Sequence, residues 1–147
     1  MRRLIAALFT VAALVSCGVH TNRGAMPDGP ELIRQATEFS GFVVPPDAEV
    51  LRAHTDHGID TRYQLAIRIR PDDLTRLLAD SHFDKPLTKA YPPFEKVIAG
   101  PGLADTPSVV KAQDRFRNAA GTTVYRDVIV DQRDATTWYV HVHAFTT

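Results

Sequence analysis

From Arg62 to Ile69 the large apolar residues Tyr63, Leu65, Ile67 and Ile69 alternate with Arg62, Gln64, Ala66 and Arg68. A period of two sends the two sets to opposite faces of a strand, so the segment predicts a half-buried strand with one wet face. Such a strand needs partners, and the chain supplies them. Thr123 to Asp131 and Thr137 to Thr146 read as two strands joined around Gln132, Arg133 and Asp134, a hairpin. Val43 to Thr55 contains Pro45 and Pro46, which restricts it to an edge or interrupted strand. Two helices are expected beside these strands. Pro30 suits a first helical position, Glu31 suits the positive end of the dipole, and Leu32, Ile33, Ala36 and Phe39 share a side up to a stop at Gly41. Pro71 opens the second, with Asp72 and Asp73 in its first turn, Leu74, Leu77 and Leu78 as its stripe, and an end at His82 or Phe83. Ser108 to Asn118 reads equally well as helix or strand. The order helix, two strands, helix, loop, two strands has no βαβ alternation. It predicts an α+β domain over residues 30–147, an antiparallel β-sheet with helices packed on one face.

The expected core follows from the same periods: Leu65, Ile67, Ile69, Leu74, Leu77, Leu78, Val128, Val130, Trp138, Val140 and Val142. The single cysteine, Cys17, excludes any intramolecular disulfide, so this core alone must hold the fold. Lysines and arginines number 17 against 17 aspartates and glutamates. No basic excess points to nucleic acid as a partner.

The residues around Cys17 are distinctive. Met1-Arg2-Arg3 is a positive start, Leu4 to Val15 is an uncharged, mostly apolar run, and Leu14-Val15-Ser16-Cys17 places a small residue just before the cysteine. The apolar run is short of the roughly 20 residues that cross a hydrocarbon core. This arrangement resembles the signal and lipobox of bacterial lipoproteins. The resemblance implies that residues 1–16 are a signal peptide removed by processing. It also implies that Cys17 carries a diacylglyceryl group and an acyl chain, and that the protein sits on the extracytoplasmic face of a cell membrane through that lipid. Loss of Arg2 and Arg3 would lower the basic count from 17 to 15 against 17 acidic residues, a net charge of −2 with histidines neutral. Residues 17–29, polar and glycine-containing, read as a flexible tether between lipid and domain.

Histidines are the candidate chemical groups. His54, Asp56 and His57 in HTDHGID partly resemble the H-x-H-x-D-H zinc motif of metallo-β-lactamase-like hydrolases, with Arg52 standing where the first histidine of the motif would be. As residues in their own right they suit a polar turn, with Gly58 supplying a permissive φ. His141 and His143, spaced i,i+2, project from one face of a strand, together with Tyr139 and Phe145 and beside Arg68 and Asp127. Two such histidines bind zinc or copper where a third ligand converges, and otherwise are solvated strand residues. No G-x-S-x-G, H-E-x-x-H or G-x-x-x-x-G-K-[ST] pattern exists, so nucleophilic, zincin and phosphate-loop chemistry find no motif.

Lys85 to Pro107 is the least regular stretch, with five prolines and two glycines in 23 residues. A connection of that length is usually functional or disordered rather than a plain connector. Tyr91 and Phe94, beside Pro92 and Pro93, make it the candidate binding loop, because aromatic side chains anchor recognition surfaces. The rival reading is a rigid cover with both rings buried.

Arg126-Asp127-Val128-Ile129-Val130-Asp131, then Asp134, Trp138-Tyr139-Val140 and Ala144-Phe145-Thr146-Thr147, together with the unit from Val43 to Phe83, are similar to small lipoproteins of actinobacteria. That resemblance implies a location and a domain shape and no catalytic residues. The expectation is a lipid-anchored envelope protein without cofactor, acting as a non-catalytic module that binds an envelope protein or a small molecule. The alternative is a metal-binding protein or metal-dependent hydrolase of the cell envelope using His54, His57, His141 and His143.

Overall fold

A computed structural model describes residues 29–147. Pro30 opens helix α1 (Pro30–Ser40), where its missing N–H costs nothing, and Glu31 in the first turn pairs with Arg34 at 2.6 Å. Leu32 and Ala36 are the buried apolar residues of α1. The helix ends at Gly41, which takes φ 69° and donates its N–H to the Thr37 carbonyl at 2.8 Å. A Cβ at Gly41 would overlap the ring of Phe116, so backbone and packing both demand glycine here.

Beyond Pro45-Pro46 the chain extends into β1 (Glu49–His57) and returns as β2 (Thr61–Ile69). The prolines therefore precede the edge strand rather than interrupt it. Helix α2 (Asp73–Asp80) starts at Asp73, which accepts a 2.9 Å hydrogen bond from Arg70 Nε, and it buries Leu74 and Leu77. Soon after it, His82 adopts φ 51°, a left-handed conformation that breaks the helical path. Then come β3 (Thr88–Lys89), a single 3₁₀ turn at Leu103–Asp105, β4 (Val109–Arg117), β5 (Thr123–Asp131) and β6 (Trp138–Phe145).

These strands form one sheet in the order β1-β2-β6-β5-β4-β3, antiparallel at every junction. β6 lies between β2 and β5, pairing Ile67 with Val140 on one side and Val130 with Val140 on the other. In β1 the register shifts between Val50 and Arg52, so Leu51 is an extra residue at a bulge.

The α+β class expected from the sequence is overturned. With six strands and two helices of 11 and 8 residues, the domain is more nearly all-β than a sheet covered by helices. Two segments account for the difference: the ambiguous stretch after Ser108 is strand β4, and the irregular stretch after Lys85 contributes β3 at the sheet's far edge. No helix among the described residues is long and apolar enough to cross a membrane.

The principal core lies on the inner face, the face that meets α1 and α2. Leu65, Ile67, Val128, Val130, Val140 and Val142 are each at most 1% exposed and pack with Leu32, Phe42, Leu74, Leu77 and Phe83. Leu78 and Trp138 border this core, and Trp138 donates its Nε1–H to the Asp134 carbonyl at 3.0 Å. Arg126 is also on this face and fully buried. Its guanidinium bonds Asp114 through two nitrogens, at 2.8 and 2.5 Å. It also donates to the carbonyls of Ser40, Ser81 and His82 at 3.1, 2.9 and 3.3 Å. The rings of Phe42, Phe83 and Phe116 surround the cation at 4.4 to 5.3 Å from their centroids.

Candidate functional site

The opposite, outer face of the sheet is built in rows that the register sets. One row runs Ala66, His141, Ile129, Lys111 across β2, β6, β5 and β4. The next runs Gln64, His143, Asp127, Gln113. Over the first of these rows lies the segment between α2 and β4. The Ala90 N–H donates to the Val109 carbonyl at 2.8 Å, and Arg133 Nη2 donates to the Gly102 carbonyl at 2.8 Å. Buried Asp131 accepts from Thr106 Oγ1 and, at 2.6 Å, from Arg133 Nη2. Ala90, Leu103 and Val109 form a second apolar cluster with Phe94, Val97 and Ile129. Gly100 crosses close above Tyr139, where a Cβ would come within 3.2 Å of the ring.

Between this segment and the sheet lies a cleft of about 420 Å³. Its floor is apolar, from Ala90, Leu103, Val109 and Ile129, and Tyr91, Pro93 and Phe94 form its outer wall. Glu95, Gln113 and Asp127 add polar groups, and Lys111 is the one cationic residue among the described residues lining it. Gln113 Nε2 donates to Asp127 Oδ1 at 2.5 Å. Glu95 Oε2 stands 3.3 Å from His143 Nδ1. Burial raises the Asp127 pKa above the usual carboxylate value, and the charge of Glu95 adds to that effect while Gln113 opposes it. Burial lowers the His143 pKa against the opposing pull of Glu95 and Asp127.

The candidate residues read from the sequence are distributed as follows. Cys17 lies outside the described residues. His54 and His57 are both exposed and, three apart on β1, point to opposite faces: His54 pairs with Gln64 on the outer face, while His57 Nε2 lies 3.1 Å from Thr55 Oγ1 on the inner one. His54 is separated from His143 by the whole of β2, a gap of roughly 10 Å at ordinary strand spacing. His141 and His143 do share the outer face, but His141 is buried at 1% exposure instead of solvated. Neither of its ring nitrogens has a hydrogen-bond partner, and burial lowers its pKa to about 4. The four histidines are thus not brought together, and no three His, Cys, Asp or Glu residues among the described residues converge as a metal site. Tyr91 and Phe94 both line the cleft, Tyr91 at 70% exposure and Phe94 half-buried on the apolar cluster.

Glu95, Lys111 and Gln113 were not legible as site residues. Lys111 and Gln113 depend on β4 being a strand, and Glu95 depends on how the irregular segment folds back. The cleft sets an apolar floor and an aromatic wall beside Glu95, Lys111, Gln113 and Asp127. Of the hydroxyls lining the cleft, Thr88 Oγ1 donates to the Lys111 carbonyl and is not bonded to a base. No family model matches this chain, and no curated protein or solved structure matches it.

Proposed function

We propose that this chain is an extracytoplasmic lipoprotein, held to the membrane through acylated Cys17, whose domain binds a small ligand without transforming it. The observation that carries the binding reading is the cleft itself: an apolar floor, an aromatic wall and a few polar groups are the usual composition of a small-molecule site. The anchor reading rests on the run from Met1 to Cys17 and on the isolated thiol. Separation of His54 from His57, and the burial of His141, favour binding over metal-dependent hydrolysis.

Two measurements test the reading. Intact mass of the membrane-extracted protein is expected to start at Cys17 with added acyl mass, and an unmodified Cys17 would refute the anchor. For the domain, a set of small cationic, neutral and anionic fragments is titrated into the full chain in nonionic detergent. Saturable shifts of the Leu103, Val109 and Ile129 methyl resonances are expected with some of them. Silence of all three methyls across the whole set would refute the cleft as a binding site.

A further inference from the structure

We infer that the cleft selects a small organic cation, its ammonium received by Asp127 and Glu95 and its apolar body laid on Ile129, Val109 and Phe94. The inference rests on the binding reading above and specifies the ligand class of that same site.

Two carboxylates line the cleft against one ammonium, that of Lys111. His143, 3.3 Å from Glu95, is disfavoured as a competing cation by its burial. An anion entering here would meet Asp127 and Glu95 at the polar end, with Lys111 the one ammonium in the lining and that of Lys89 held over the rim ring of Tyr91. A neutral ligand would leave the Asp127 carboxylate desolvated and facing a like charge. An ammonium relieves both penalties, since it replaces lost hydration with charge-assisted hydrogen bonds and lies between the two negative groups.

The walls fit the same ligand. Phe94 is half-buried over the apolar cluster, so a hydrocarbon or aryl group beside it would exclude water from Ile129 and Val109. Tyr91 on the rim already accepts a cation on its ring, the Lys89 ammonium at 5.5 Å from the centroid. The polar end has room for a donor: Gln113 engages one oxygen of Asp127, Oδ1, and the Glu95 side chain is 71% exposed.

The test compares three probes with one shape and different charge: benzylammonium, benzyl alcohol and benzoate. Each is titrated into the full chain in nonionic detergent at neutral pH, with the Leu103, Val109 and Ile129 methyl resonances as readout. Benzylammonium is expected to saturate these shifts at a Kd at least about tenfold below that of benzyl alcohol, with benzoate weakest. Asp127→Asn is expected to remove at least about tenfold of the benzylammonium affinity, and Glu95→Gln less, because that carboxylate is screened by solvent. Asp56→Asn, outside the cleft, should leave affinity unchanged. Equal or tighter binding of benzyl alcohol or benzoate would overturn the cation inference while leaving the cleft a binding site. Silence of the methyls to all three probes would also overturn it, and the wider fragment set then decides the binding reading separately. The wild-type comparison stands even if a variant fails to fold.

Discussion

Arg126 and Asp114 face each other in register on the inner face of β5 and β4, with Arg126 Nη2 2.5 Å from Asp114 Oδ2 and both side chains withdrawn from water. One guanidinium thereby joins two strands, the C-terminal end of α1 through Ser40, and the segment just after α2 through Ser81 and His82.

Asp114→Ala should destabilise the domain by about 3–5 kcal/mol, because it strands a buried cation. Replacing both partners, as Asp114→Leu with Arg126→Met, should recover only part of this. The carbonyls of Ser40, Ser81 and His82 would still lose their donor, at about 1–3 kcal/mol for each that stays buried and unpaired. Urea melts of the single and double variants give the comparison, and a cost below about 1 kcal/mol for Asp114→Ala would contradict this role.

Gly41 and Gly121 both have positive φ, 69° and 78°, but of the two only Gly41 lies against an aromatic ring, that of Phe116. Gly121→Ala should cost about 1–2 kcal/mol, the penalty of a left-handed alanine. Gly41→Ala should add about 1–3 kcal/mol, because Phe116 must be displaced as well. Thermal denaturation of the pair separates the two terms, and equal destabilisation would mean that Phe116 yields freely.

His141 has a folded-state pKa of about 4, lowered from 6.5 chiefly by burial, with Asp131 opposing and His143 reinforcing the shift. The unfolded chain therefore binds a proton that the folded chain refuses between those two values. Stability from this group is fully present above pH 6.5 and is lost as pH falls towards 4. Between pH 7.5 and 4.5 the loss should be on the order of 2–3 kcal/mol. His141→Leu should flatten that part of the profile, and an unchanged slope in the variant would assign the acid sensitivity to other groups.

Thr106 and Arg133 hold the cleft-forming segment down through Asp131. Thr106→Val should cost about 1 kcal/mol, the net worth of one hydrogen bond. It should also speed amide exchange at Ala90, whose N–H reaches the Val109 carbonyl across β3 and β4. Unchanged exchange at Ala90 would show that the apolar cluster of Leu103 and Val109 holds the segment by itself.

Periodicity revealed β2, β5 and β6 because each alternates cleanly against one apolar core, and the core residues named from it do pack together on the inner face. It could not reveal that the outer face is covered too. His141 has the face its spacing predicts, yet it is buried there because the proline-rich segment, whose path no period encodes, folds over that face. The same limit hid the cleft. Arg126 did carry a legible signal: Val124, Arg126, Val128 and Val130 share one face, so an arginine among three valines had to be buried and paired. Its partner Asp114 lay in the stretch that read equally as helix or strand. The α+β expectation failed at that same stretch, since a strand there changes the balance of the whole domain.

The central place of β6 makes the continuity of the sheet depend on a single strand. β2 ends at Ile69, yet its inner neighbour begins only at Trp138. Without that strand, β1–β2 and β5–β4–β3 share no ladder and meet only through the helices and the bonds of Arg126, and small isolated ribbons are marginal in water. The sheet is therefore continuous only with Trp138 to Phe145 in place. Those eight residues unite both ribbons, seal the inner core with Val140 and Val142, and lay His141 and His143 into the opposite face in a single act. That one strand is the common partner of both halves of the sheet, so a change that unseats it opens both faces of the domain together.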